Sequence, residues 1–111
     1  MTREIKESDW KLFRRLHPVA RERFCQRVIE EISEATSNCT ANYHKRYLKV
    51  FSLIMNRDEQ MGRAFNDMRR STAIILLTNI REGGWLTDEE FSQFGAETRA
   101  GVESILGGRR L

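Results

Sequence analysis

His17, His44, Cys25 and Cys39 are the side chains whose types could hold a transition metal or supply a thiolate nucleophile. A zinc site needs such residues clustered at ligand spacing, and no Cys-x-x-Cys or comparable pair occurs. Cys25 follows Phe24 on an apolar stripe and reads as a small buried hydrophobe. A Cys–His nucleophile pair also needs an oriented base and an oxyanion site, and no segment advertises either. The glycines punctuate helices, except Gly62 and Gly101, which fall inside expected helices, so there is no phosphate-cradling loop. Asp88, Glu89 and Glu90 are placed as first-turn charges that favour a helix dipole rather than as an acid/base pair. The expectation is a protein that is not an enzyme, with no cofactor and no metal site.

Charge and seam residues carry the remaining chemistry. Lys45, Arg46, Lys49, Arg63 and Arg70 lie broadly along one expected helix and could follow phosphates, which makes a small DNA- or RNA-binding regulator the alternative function. The stretch lacks the dense basic run of a basic zipper, and a solvated helix face accounts for it better. The net charge of +3 is uneven: residues 36–82 carry eight Lys/Arg against four Asp/Glu, and residues 83–111 three against five. A basic middle and an acidic tail fit a weak anionic partner, or the tail of one subunit on the middle of another.

The elements that position these residues follow from length and periodicity. With 111 residues, 32% charged and 40% hydrophobic, the chain is expected to be one domain, 1–111, with one modest core and no linker. Its longest uncharged run through the apolar segment, Ser71 to Ile80, is about half of the ~20 residues a spanning helix needs. MTREIKESDW carries charge where a signal peptide needs an apolar stretch, so a cytoplasmic location with reduced thiols is expected. Asn38-Cys39-Thr40 matches a glycosylation sequon, which carries no weight without a secretory signal.

Ser8 is a suitable N-cap for a first helix bearing Trp10, Phe13, Leu16 and His17, which Pro18 is expected to interrupt. A second helix begins there, with Ala20, Phe24, Val28, Ile32 and Ala35 on one stripe. Residues 36–40, TSNCT, form a loop. Tyr47, Phe51, Ile54, Asp58, Met61, Phe65, Met68, Thr72, Ile75 and Asn79 then follow alternating steps of four and three, the pattern of a coiled-coil seam. Read straight, this is one helix over about 41–82, on the order of 60 Å long. The competing reading breaks it near Asn56–Asp58, with Asn56 as cap and Glu59 as its capping-box partner. Asp58 puts a charge on the seam, either paired with Arg57 or Arg69 of a neighbouring helix or exposed at a kink.

Gly83-Gly84 stops the long helix. Thr87 and Glu90 form a capping box for the next one, with Leu86 and Phe91 as its hydrophobic staple. A last helix, about Ala96 to Leu106, ends at Gly107-Gly108. From Ala73 the long helix is apolar on two sides: Ile75 continues the seam, and Ala73, Ile74, Leu77 and Ile80 make a second face. The nearest cover for that face is Trp85, Leu86, Phe91, Phe94, Val102, Ile105 and Leu106, folding back across the Gly-Gly turn.

SDWKLFRRLHPVARERFCQRVIEEI together with RAFNDMRRSTAIILL resembles a group of small all-helical uncharacterised bacterial proteins. The resemblance covers most of the chain and implies a bacterial cytoplasmic origin but no activity. The expected fold is therefore an all-α helical bundle of about five helices on one long central helix. The expected function is protein–protein association as a homodimer, or with an unidentified protein partner, and away from membranes. Its interface would comprise Tyr47, Phe51, Ile54, Asp58, Met61, Phe65, Met68 and Ile75, because a helix near 60 Å outruns a compact domain whose radius of gyration is about 13 Å.

Overall fold

The longest helix of the protein is its first. The computed structural model describes residues 4–111, so the first three residues of the charged N-terminal stretch lie outside the described residues. Helix α1 (Glu7–Ser37) is continuous through Pro18, which corrects the expected interruption. An interior proline costs about 3 kcal/mol or more through its missing N–H and its clash with the preceding turn. Burial offsets this, because Phe13, His17, Ala20 and Phe24 keep helical phase across the proline, which itself faces solvent. Ser8 is not the N-cap either; that position is Lys6, without a side-chain cap.

The expected long helix over 41–82 is two helices, α2 (Tyr43–Phe65) and α3 (Ala73–Gly83). The chain runs without a break through Asn56–Asp58 and breaks instead at Asn66–Thr72. Asp67 adopts the left-handed conformation (φ 59°), which Asp tolerates better than most residues. Arg69 pairs with the Asp67 carboxylate, and the Thr72 hydroxyl donates to the Asp67 carbonyl at 2.6 Å. Tertiary donors satisfy the carbonyls that this break orphans: Asn79 Nδ2 reaches Arg63 O at 2.8 Å and His17 Nε2 reaches Phe65 O at 3.0 Å.

Gly84 (φ 81°) caps α3 in the left-handed conformation, as the Gly-Gly signal implies. Helix α4 (Asp88–Ser92) opens with both halves of the Thr87/Glu90 capping box. Helix α5 (Ala96–Arg109) runs past Gly107-Gly108, where the sequence suggests a stop, and the Arg109–Glu82 ion pair (2.8 Å) ties its end to α3. The described residues contain five helices and no strand, the all-α bundle expected.

Packing divides the molecule into a body and an arm. In the body, α3 lies between α1 and α2 on one side and α5 on the other. Ala73, Leu77 and Ile80 are buried with Val102, Leu106, Phe91 and Phe94, so the C-terminal helices do cover the second apolar face. Gly101 assists this approach, since a Cβ there would meet the Ile74 side chain at 3.3 Å. The arm is the antiparallel pair formed by the second half of α1 and by α2 up to its last residues. No residue from 25 to 63 is buried. The molecule measures 55 × 30 × 24 Å with a radius of gyration of 16.8 Å, more extended than the ~13 Å of a compact 100-residue domain.

Candidate association face and cationic cleft

The arm has two unlike flanks. Arg57 forms a bidentate pair with Glu31 (3.1 and 2.8 Å) that joins α2 to α1. That hydrogen bond, together with nearby Arg27 and Lys49, holds the Glu31 carboxyl below the usual range. Arg27, Glu31 and Glu34 of α1 and Lys45, Lys49 and Arg57 of α2 line clefts on this polar flank. At 100° per residue, Cys25, Ile29 and Ile32 fall about half a turn from Arg27, Glu31 and Glu34 on α1, and Tyr47, Phe51 and Ile54 about half a turn from Lys45 and Lys49 on α2. The opposite flank is therefore apolar and exposed: Ile29 is 64%, Tyr47 65%, Phe51 56% and Ile54 46% accessible, and Leu48 (47%) and Met55 (59%) extend it.

The seam residues read from the sequence divide between flank and core. Tyr47, Phe51, Ile54 and Asp58 lie together on the exposed flank, and Ile75 is exposed on α3. Met61 and Met68 are half-buried against the core. Phe65 is buried within the chain, packed edge-on to His17 (5.5 Å) and tilted against Phe24 (5.7 Å). Asp58 is exposed, and the two arginines expected to reach it are engaged elsewhere, Arg57 with Glu31 and Arg69 with Asp67.

The five basic residues do not form one free stripe. Arg46 stacks on Tyr43 and donates to Ala41 O at 2.9 Å. Arg70 donates to Ile5 O and Glu7, fastening the N-terminal segment to the α2–α3 turn. Lys45 and Lys49 line the cleft near the tip of the arm, whereas Arg63 belongs to a second, larger cleft.

That larger cleft, about 740 Å³, lies where the arm meets the body. Arg27 of α1, Arg57 and Arg63 of α2 and Arg109 of α5 converge on it, with Glu31 and Glu82 beside two of them. Trp85 forms one wall, edge-on to Phe24 at 5.2 Å. Arg23 holds that wall by donating to Trp85 O (3.1 Å) and pairing bidentately with Glu90 (2.7 and 2.9 Å). Arg23 is the first cause that draws the Glu90 pKa down to about 2. The sequence gives little sign of this cleft, since its arginines come from segments up to 82 residues apart.

Among the described residues no group of three or more His, Cys, Asp or Glu side chains is arranged to hold a metal ion, and no helix is long and apolar enough to cross a membrane. Cys25 is half-buried and Cys39 exposed, both as free thiols. No family model, curated protein or solved structure matches the chain.

Proposed function

We propose that this protein is a non-enzymatic association module of the bacterial cytoplasm that forms a homodimer through the apolar flank of its α1–α2 arm. The observation that carries this reading is the arm itself, where no residue from 25 to 63 is buried and six large apolar side chains stand exposed along one side. An amphipathic helix gains most of its stability by burying its apolar stripe against another element. Half of that cover is missing here. Taking ~200 Å² for a large apolar side chain, the exposed parts of these six amount to roughly 670 Å² per chain. That is the upper end of what monomers display and most of the ~800 Å² per partner in a standard interface. Two arms related by a two-fold axis would pair this flank with itself as a four-helix arrangement.

The experiment is light scattering across the micromolar range on the wild type and on Phe51→Glu and Ile54→Glu. A dimeric wild type is expected, with both variants monomeric and still fully helical, because the core lies elsewhere. A wild type that stays monomeric throughout removes the proposal.

A further inference from the structure

We propose that the cleft between arm and body binds a small phosphate monoester carrying a flat aromatic ring, a ligand of the mononucleotide class. The cleft lies on the polar flank, opposite the proposed dimer face, so the two readings stand or fall separately.

Charge sets the anion. Four guanidinium groups converge, and two of them are answered: Arg57 by Glu31, and Arg109 by Glu82 at 2.8 Å. Arg27 acts on Glu31 only through space, and the Arg63 side chain makes no hydrogen bond or ion pair among the described residues. Two positive charges therefore face the cleft without a hydrogen-bonded counter-charge. A phosphate monoester carries close to two negative charges at neutral pH and accepts the forked donors of arginine.

Shape and the Trp85 wall set the ring. A volume of about 740 Å³ lies within the range of small-molecule sites. The Trp85 indole lies against Gly83, where a Cβ would collide with the ring, so the α3 terminus must end in a residue without a side chain for the wall to stand there. The indole N–H has no acceptor among the described residues, while the Trp85 carbonyl and ring are fixed by Arg23 and Phe24. A cationic base and an ordered aromatic wall are thus in place before any ligand arrives, which limits the ordering cost of binding.

The test is an NMR titration of the full-length protein at low ionic strength, reading the Trp85 indole N–H, with the Trp10 signal assigned by Trp10→Phe. Adenosine 5′-monophosphate, inorganic phosphate and adenosine are the probes. Saturable shifts are expected with the monophosphate, weaker binding with phosphate, and none with adenosine. Arg63→Gln and Arg27→Gln, both at exposed positions, should each weaken monophosphate binding roughly tenfold or more. Glu82→Gln, which frees Arg109, should strengthen it. The proposal is overturned by no saturable shift at millimolar monophosphate, by equal affinity for monophosphate and inorganic phosphate, or by binding indifferent to both arginine variants.

Discussion

Asp9 in the first turn of α1 accepts a 2.6 Å hydrogen bond from the Thr98 hydroxyl of α5, and through the same carboxylate a 3.0 Å bond from the Gly95 backbone N–H. The last helix of the chain is therefore capped by the first. Gly95 is the N-cap of α5 and has no side chain to serve that role. Asp9 is almost fully buried, so its charge is useful only because these donors meet it.

Replacing Asp9 by Ala leaves the Gly95 N–H and the Thr98 hydroxyl without their acceptor. The expected loss is about 1–3 kcal/mol, read as a lower midpoint in chemical denaturation with an unchanged slope. Thr98→Val should cost less, since the Gly95 bond survives. Equal stability of wild type and Asp9→Ala would show that the cap does not couple the two ends of the chain.

Such a contact also marks where sequence reading stops. The Thr87/Glu90 box, the Gly84 cap and the burial of Leu77 and Ile80 were legible because each is decided within a few residues. The path through Pro18 and the break at Asn66–Thr72 were not. The first depends on how much apolar surface α1 buries on both sides of the proline, and the second on donors from His17 and Asn79 that local pattern cannot supply. Heptad phase was misleading at Phe65, whose stripe position is filled by α1 rather than left for a partner. At Tyr47, Phe51 and Ile54 the same stripe is left exposed.

His17 should make stability fall in mild acid. Its Nε2 donates to Phe65 O, so the ring can be neutral with Nδ1 unprotonated. Burial first, and Arg21 nearby, lower its pKa below the ordinary 6.5 despite the opposing effect of the Phe65 bond. The unfolded state then binds more protons between the depressed folded pKa and 6.5. The stabilising contribution is full above 6.5 and is lost as pH falls through that window. Melting temperatures of wild type and His17→Gln across it should converge toward acid; parallel curves would exclude His17 as the titrating group.

Arg23 and Glu90 act at lower pH. With a folded pKa of about 2 against an ordinary 4.5, Glu90 contributes stability that is present above 4.5 and lost as pH falls through 2. Arg23→Ala removes the bidentate pair and the bond to Trp85 O. We expect a loss of about 1–2 kcal/mol at neutral pH, given that the arginine is partly solvated. Glu90 should then titrate closer to 4.5 by NMR, and a carboxyl still near 2 in the variant would mean that the capping box alone depresses it.

Leu77 separates intrachain cover from cover by a second subunit. It is fully buried in the core of its own chain, and Leu77→Ala should cost about 2–5 kcal/mol through lost burial and the cavity left behind. Because its neighbours are intrachain, that cost should be the same at every protein concentration. Phe51→Glu should behave in the opposite way. Its deficit relative to a dimeric wild type should grow with concentration, since mass action stabilises only the species that associates. Thermal melts of the three proteins over a concentration series decide the matter. A concentration-independent wild-type midpoint, or a Leu77→Ala deficit that shrinks as concentration rises, would place the missing cover somewhere other than the arm.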